Sequence, residues 1–261
     1  MCPMSTRGSI ATPPRYRAAR SVGSSRMRIR WFGQSAFLLT GRNGSRVFID
    51  PFSEFPAEML AARREQMPDF RFDYAPIEGV EADLLLVTHE HFDHAGVDAI
   101  GGEPHVVRST AGSFETPLGP VVAVASEHDA VAGTQRGPNA IMVFALDGLR
   151  VAHFGDFGQT ELRDAQREAI GDVDVLILPV GGGPTVGGEQ AAAVVRALRA
   201  RLVVASHYGN EAVSFLGGPE PFLDALPEGR VERLDASEAD AEPLLGEPGA
   251  PVVVLFKAPL A

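Results

Sequence analysis

The hydrophobic and polar positions in the first half of the chain follow the pattern of short β-strands, starting at Met27. Runs of strand length, either alternating or wholly apolar, are bounded by turn formers such as glycine, proline and asparagine. Asp147 and Gly148 join the last two runs as a dipeptide that strongly favours a hairpin. The predicted strands are "RIRWF", "SAFLLT", "RVFID", "ADLLLV", "HVVRS", "VVAVA", "AIMVFAL" and "RVAHF".

Helical and strand-like segments alternate in the second half of the chain. The segment "TELRDAQREAI" precedes the apolar strand "DVLILPV", and "GEQAAAVVRALRA" precedes "LVVAS". This alternation indicates an α/β fold with layered helices and sheets. Residues 51–80 carry four prolines around one short helix near "PAEMLAARREQ" and are predicted to form an irregular excursion over the surface. We expect one continuous domain over residues 27–261.

Composition places the chain among globular proteins that fold without disulfides. Of its 261 residues 45% are hydrophobic, enough for a well-buried core. The single cysteine, Cys2, has no partner, which favours a reducing, cytoplasmic location. No apolar run approaches the roughly 18 to 20 residues needed to cross a bilayer, so stable membrane insertion is not expected.

Charge is distributed unevenly between the first 26 residues and the remainder. Residues 1–26 contain five arginines and no acid, so the formal charge of -11 leaves -16 on residues 27–261. This start is also rich in Pro, Ser and Gly, and we expect a disordered tail, either a non-native start or an organelle-type transit segment. The acidic body disfavours nucleic acid and favours a small-molecule substrate, while a homo-oligomer stays open.

A dense group of metal-binding residue types lies in "THEHFDHAG", residues 88 to 96. In an extended or loop conformation His89, His91 and Asp93 project to one side, whereas His94 points away from Asp93. The segment therefore offers two ligand pairs, as two-metal hydrolases require. Each metal needs further donors, since about four to six ligands are usual for zinc, manganese or iron.

Three isolated donors each come just after a predicted strand, where sites of α/β proteins assemble. His128 follows "VVAVASE", Asp156 follows "RVAHF", and His207 follows "LVVAS". Taken alone, each of these residues could equally be a loop or packing residue that is hydrogen-bonded within the protein and binds no metal. His105 and His153 lie within or at the start of strands and are interpreted as structural residues with backbone partners.

The motifs together resemble the metallo-β-lactamase superfamily over residues 27–261. They are "WFGQSAFLLT", "VFIDP", "THEHFDHAG", "SEHD", "AHFGDFG", "LILPVGGGPTVG" and "SHYGN". Their order is similar to the branch that includes ascorbate-6-phosphate lactonase and many metal-dependent hydrolases. The resemblance implies a four-layer αββα sandwich with two metals at one sheet edge. The implied ligands are His89, His91 and His128 for one metal, Asp93, His94 and His207 for the other, and Asp156 bridging both.

The function implied by the resemblance is binuclear metal-dependent hydrolysis. A hydroxide that bridges two divalent metals would attack a small ester, lactone, amide or phosphoester, and Asp93 would orient that hydroxide and accept its proton. Zinc is the default metal, with manganese or iron open. The alternatives are a phosphodiesterase or phospholipase-like member, an iron-dependent oxidoreductase on the same scaffold, and a non-catalytic metal-binding protein. His91 stands where the flavodiiron type usually carries glutamate.

Five further residues are candidates for supporting roles around the metals. Asp50 in "FIDP" is either a turn acid or an acceptor that orients the metal-site loop. Gln34 stands where several relatives carry histidine and is a candidate substrate contact. Thr185, in the glycine-rich "GGGPTVGG" loop, is a second candidate substrate contact. Tyr208 is a third and could stabilise an oxyanion. Arg136 in "QRGPN" is the candidate for binding a substrate anion.

Overall fold

The computed structural model describes residues 26–261, in which the chain forms two packed β-sheets with flanking helices. The helices are α1 (Ala57–Gln66), α2 (Asp164–Ile170), α3 (Gly188–Ala197) and α4 (Glu220–Ala225). The strands are β1 (Arg28–Gly33), β2 (Ala36–Thr40), β3 (Arg46–Ile49), β4 (Val80–Glu81), β5 (Leu84–Val87), β6 (Ile100–Gly101), β7 (His105–Arg108), β8 (Gly112–Thr116), β9 (Gly119–Glu127), β10 (Pro138–Leu146), β11 (Leu149–His153), β12 (Val175–Pro179), β13 (Leu202–Ser206), β14 (Arg230–Arg233), β15 (Glu238–Asp240) and β16 (Val252–Leu255). The tail predicted over residues 1–26 lies, apart from Arg26, outside the described residues.

The two large sheets are both mixed, and a third sheet consists only of the parallel strands β4 and β6. The six-stranded sheet has the order β15-β1-β2-β3-β5-β7, and the eight-stranded sheet has the order β14-β16-β13-β12-β11-β10-β9-β8. Strands β11, β12 and β13 run parallel, so each connection between them must cross over, and α2 and α3 supply these crossovers. The α/β layering that the sequence predicts is confirmed.

Aromatic and aliphatic side chains from the facing sheets form one hydrophobic core. In β1 the buried Ile29 and Trp31 alternate with the exposed Arg28 and Arg30, as expected for a strand with one solvent face. Trp31 stacks on Tyr208 with ring centroids 5.8 Å apart, which ties the start of the chain to the end of β13. Every residue of β12 and β13 is buried, because the facing sheet covers one side and helices such as α3 cover the other.

The excursion over residues 51–80 contains the predicted short helix, α1. None of the α1 residues is buried, so the helix lies on the surface and contributes nothing to the core. Phe70 and Tyr74, which follow it, are buried and anchor the segment. The helices that carry buried residues are α2, α3 and α4. These three helices therefore pack against the core, whereas α1 does not.

The sequence analysis assigned no element after Ser206, where the structure has α4 and β14 to β16. Two of these strands, β14 and β15, contain no fully buried residue and lie at sheet edges, so they lack the apolar signal of a strand. The "VVVL" run of β16 does carry that signal and was missed. None of the helices within residues 26–261 is long and apolar enough to span a bilayer.

Parallel pairing brings several strand ends to one edge of the molecule. Strand β3 pairs with β5, and β11, β12 and β13 pair in sequence, so their carboxyl ends meet. The backbone N–H of Ala140 in β10 donates to the carbonyl of Thr88 just after β5, joining the two sheets there. The donors predicted from the sequence follow these strand ends.

Candidate metal centre

Five histidines and two aspartates of the described residues converge at this edge. Donor atoms here form three groups in which every atom lies within 4.8 Å of the others, and the third, Asp50 with His89 and His94, shares a histidine with each of the other two. The first group is His89, His91 and His128, and the second is Asp93, His94 and His207. These are the two ligand sets that the resemblance implies.

The carboxylate of Asp156 lies between the two groups. Its Oδ2 is 3.0 Å from Nε2 of His128 and 3.3 Å from Nε2 of His207. Its Oδ1 is 3.3 Å from Nε2 of His94, and Oδ2 is 3.9 Å from Nε2 of His89. One buried carboxylate therefore contacts histidines of both groups, which is the position of a bridging ligand.

Asp50 orients one histidine of each group, His94 directly and His89 through Thr88. Its Oδ2 accepts hydrogen bonds from Nδ1 of His94 at 3.0 Å and from Oγ1 of Thr88 at 2.7 Å. Because the hydroxyl proton of Thr88 is given to Asp50, Oγ1 is left to accept from Nδ1 of His89, 3.0 Å away. Both imidazoles therefore direct Nε2 at the site, so the predicted orienting role of Asp50 fits its contacts.

The other histidines differ in how their second ring nitrogen is held. Nδ1 of His128 lies 3.2 Å from the carbonyl of Pro184, which can only accept, so Nδ1 carries a proton and Nε2 faces the site. Nδ1 of His207 is buried without a hydrogen-bond partner among the described residues. His153 has both nitrogens engaged by backbone, and His105 is exposed on β7 away from the centre. Both placements agree with the structural interpretation of these two histidines.

Asn139 and Gly155 position the loop that carries Asp156. The Asn139 side chain accepts from the backbone N–H of Asp156 at 3.1 Å and donates to the carbonyl of Phe154 at 2.9 Å. Gly155 has φ +54, and a Cβ there would lie 2.5 Å from Oδ1 of Asn139. Asn139 is not among the residues predicted from the sequence, where its only signal is an amide near the start of the apolar strand β10.

Three residues at the centre have a left-handed backbone conformation. Gln34, Asp50 and His207 are non-glycine residues with φ values of 47°, 49° and 48°. Such left-handed conformations are unfavourable for ordinary side chains and persist where the surrounding structure imposes them. Their placement beside the histidines indicates that the fold holds these side chains in set directions.

Burial and the neighbouring imidazoles keep most of these histidines neutral. Burial lowers the pKa of His89, and the proximity of His94 lowers it further. Burial likewise lowers the pKa of His91 and of His207. Neutral imidazole is the form that binds a metal ion, so these rings are ready to act as ligands.

His94 and Asp156 form the charged pair of the centre. Burial alone would lower the pKa of His94, but the carboxylates of Asp156 and Asp93 outweigh it and raise that pKa well above its usual value. Burial opposes ionisation of Asp156, but His207, His94 and His128 hold its pKa well below the usual range. The centre thus contains an ionised carboxylate surrounded by imidazoles.

The donors present fit divalent metal ions. Nε2 of His94 and Oδ1 of Asp156 are buried, 3.3 Å apart, and lack a hydrogen bond within residues 26–261. Buried polar atoms are normally hydrogen-bonded, so an ion pair without an aligned hydrogen bond leaves both atoms available to a metal ion. Imidazole nitrogens with carboxylate oxygens suit zinc, manganese or iron.

The centre forms the floor of an open cleft of about 490 Å³. Arg136, predicted to bind a substrate anion, lines this cleft. Thr185 lines an adjoining cavity of about 580 Å³, which also reaches Arg136 and Pro184. Asp93 lies on the cleft wall and is partly exposed.

Two of the predicted substrate contacts are not on the cleft wall. Gln34 is fully buried, and both polar atoms of its side chain lie in the interior. Tyr208 is buried beneath Trp31, and its hydroxyl lies 3.4 Å from the carbonyl of Phe256. The structure therefore does not support either residue as a substrate contact, and Tyr208 is a packing residue.

Known proteins with a similar sequence or structure agree with this architecture. The sequence model of the β-lactamase superfamily domain matches residues 28–207. A UPF0173 metal-dependent hydrolase of Thermococcus onnurineus is 31% identical over 75% of this chain and 90% of the relative. A UPF0173 protein of Pyrococcus furiosus is 29% identical over 78% of this chain and 93% of its own length.

A solved structure shares the fold as well as part of the sequence. It is a Thermotoga maritima protein described as a candidate Zn-dependent hydrolase of the metallo-β-lactamase superfamily. The two chains are 26% identical and superpose with a TM-score of 0.65, over 88% of this chain and 98% of the other. Because the family match covers more than half of the sequence, and a 31% identical relative covers three quarters of it, the chain belongs to the metallo-β-lactamase superfamily.

Proposed function

We propose that this protein is a binuclear metal-dependent hydrolase of a small ester, lactone, amide or phosphoester. The observation that carries the proposal is the position of Asp156, whose two oxygens contact histidines of both donor groups at the floor of an open cleft. Relatives that cover most of the chain are themselves named metal-dependent hydrolases, which supports the reaction class.

Each donor group would hold one divalent ion. His89, His91 and His128 would bind the first, and Asp93, His94 and His207 would bind the second. When bound, two such ions would activate a water and polarise the scissile group. Zinc is the metal we propose first, because the donors are rich in histidine and the Thermotoga maritima protein is described as Zn-dependent.

The residues of the chain prepare this centre in three ways. Asp50 and Thr88 hold Nδ1 of His94 and Nδ1 of His89, so that Nε2 of each ring faces the centre. Asp156 supplies negative charge from a buried position, where few water molecules compete for its oxygens. Asp93 is partly exposed on the cleft wall, and its carboxylate can hold a substrate water in place and accept a proton from it.

The proposal is tested by elemental analysis of protein purified without added metal. We expect about two equivalents of zinc or manganese per chain in the parent. An Asp156→Ala variant should hold less than about one equivalent, since removal of the bridging carboxylate weakens both groups. His105→Ala is the matched control, because this histidine is exposed and lies outside the centre.

Activity panels then address the reaction. The parent should hydrolyse at least one ester, lactone or phosphoester, and Asp156→Ala should not. A parent that binds no metal even after reconstitution would overturn the proposal. Iron as the dominant metal, with no hydrolysis of any panel member, would favour the oxidoreductase alternative.

A further inference from the structure

One wall of the cleft above the metal centre is built from phenylalanines. Phe55, Phe70, Phe92 and Phe215 line it, and they contact one another in a continuous cluster. The Phe55 and Phe92 rings meet edge to face at 4.5 Å, and Phe70 stacks on Phe215 at 4.9 Å. Apolar walls with a few placed polar groups are typical of small-molecule sites, and a ring-sized apolar group would pack well here.

Two arginines interrupt this apolar wall. Arg63 extends from the surface helix α1, and Arg136 comes from the loop after β9. Most arginines among the described residues contact a carboxylate or a backbone carbonyl, as Arg108 does with Glu90. Neither Arg63 nor Arg136 has a side-chain partner of this kind in that part of the chain, although the protein is acidic overall.

The loop that carries Arg136 is held rigidly by Asp129. The two carboxylate oxygens of Asp129 accept hydrogen bonds from the backbone N–H groups of residues 131, 133, 135 and 136, at 2.8 to 2.9 Å. The four hydrogen bonds to this one side chain preorganise the loop, so the backbone of Arg136 is held in place beside the cleft. A preorganised arginine loses less conformational freedom when it binds a carboxylate or phosphate.

The acids of the cleft do not neutralise these arginines. The carboxylates that line it are Asp93 and Asp156, and both belong to the proposed ligand sets. Their negative charge would be directed to the metal ions, leaving the guanidinium groups available to an incoming molecule.

We propose that the substrate combines an anionic group, a carboxylate or a phosphate, with an apolar group of about the size of one aromatic ring. Arg63 and Arg136 bind the anion, and the phenylalanine wall packs against the apolar group. This substrate class rests on the proposed hydrolase function in one respect, because that function places the scissile bond of the substrate above the metals. The binding of the anionic and apolar groups does not depend on it. The cleft volume of about 490 Å³ is sufficient for such a molecule.

Calorimetric titration of the metal-loaded protein with three matched probes tests the anionic part. The probes are 4-phenylbutyrate, 3-phenylpropylphosphonate and the neutral 4-phenylbutanamide. We expect at least one anion to bind about tenfold more tightly than the amide. The carboxylate and phosphonate arms show which anion the arginines prefer.

Two variants show whether Arg63 and Arg136 are responsible for the preference for the anion. In Arg63→Gln and Arg136→Gln the preference for the anion should fall to about threefold or less. Arg167→Gln is the control, because Arg167 is an exposed arginine of α2 outside the cleft, and it should keep the full preference. Equal binding of anion and amide by the parent, or an unchanged preference in both cleft variants, would overturn the proposal.

A fourth probe, 4-hydroxybutyrate, tests the apolar part of the proposed substrate, because it keeps the carboxylate but lacks the aromatic ring. It should bind at least about tenfold more weakly than 4-phenylbutyrate, and equal binding overturns the role of the phenylalanine wall. Failure of the hydrolase function would be distinct, because it would appear as absent turnover by the metal-loaded protein while the arginine-dependent preference persisted. All these variants lie outside the metal ligands and should retain the metal content of the parent.

Discussion

The side chain of Asp50 accepts a hydrogen bond from Nδ1 of His94 at 3.0 Å, and both residues are fully buried. Asp50 also accepts from the backbone N–H and the hydroxyl of Thr88, whose Oγ1 lies next to His89. A single carboxylate thereby sets the orientation of one histidine in each donor group. The proposed metal centre therefore depends on a residue outside the two proposed ligand sets.

Asp50→Asn should weaken metal binding without removing a ligand. The amide cannot accept from Thr88 and His94 as the carboxylate does, so we expect metal affinity to fall about 10-fold to 100-fold. Competition with a chromophoric chelator measures the change. Asp224→Asn, an exposed substitution in α4, is the control. Unchanged affinity in Asp50→Asn would show that the histidines are oriented by other contacts.

Gly155→Ala should destabilise the protein far more than Gly44→Ala. Both glycines have positive φ, so each substitution carries a strain of about 1 to 2 kcal/mol. A Cβ at Gly44 meets nothing within 4 Å, whereas one at Gly155 collides with Thr88 and Asn139. We expect a total loss of about 3 kcal/mol or more for Gly155→Ala in urea unfolding. Similar losses for both variants would show that the Asp156 loop relaxes to admit the methyl group.

Metal binding should release a proton from His94. In the metal-free protein its pKa is raised well above the usual value, so Nε2 carries a proton at neutral pH that a metal must displace. The raised pKa stabilises the metal-free fold below the pKa of the unfolded chain, and this contribution is lost as pH rises through the folded pKa. Metal affinity should therefore increase with pH in the same window.

Calorimetry in two buffers with different ionisation enthalpies measures this release. We expect about one proton at pH 7, because the pKa values of His89, His91 and His207 are lowered and those rings have none to give. His105→Ala should release the same number. Identical heats in both buffers would contradict a protonated His94.

Asp129→Asn should loosen the loop that carries Arg136. The substitution replaces one acceptor oxygen by a donor and breaks at least two of the four bonds to the loop backbone. Hydrogen exchange of residues 131–136 should accelerate, while exchange in the strands stays unchanged. Asp224→Asn, an exposed substitution in α4, is again the control. Unchanged protection of the loop would show that Asp129 is not what orders it.

The sequence alone determined the layering and the superfamily, and it predicted the donors that the structure brings together. Periodicity predicts the strands because each needs one or two buried faces, and the motifs place each donor directly after a strand end. The predicted residues His128, Asp156 and His207 are far apart in sequence, yet parallel pairing brings them together. This inference succeeds because strand order and direction decide where strand ends meet.

Only the tertiary structure decided which polar side chains face the cleft. Gln34 and Tyr208 occupy motif positions beside the centre, but a left-handed backbone at Gln34 and the stacking of Tyr208 on Trp31 direct both inward. Arg63, on a helix without buried residues, reaches the cleft through the course of residues 51–80. Such directions depend on contacts between distant segments, and no local pattern of hydrophobic and polar residues contains them.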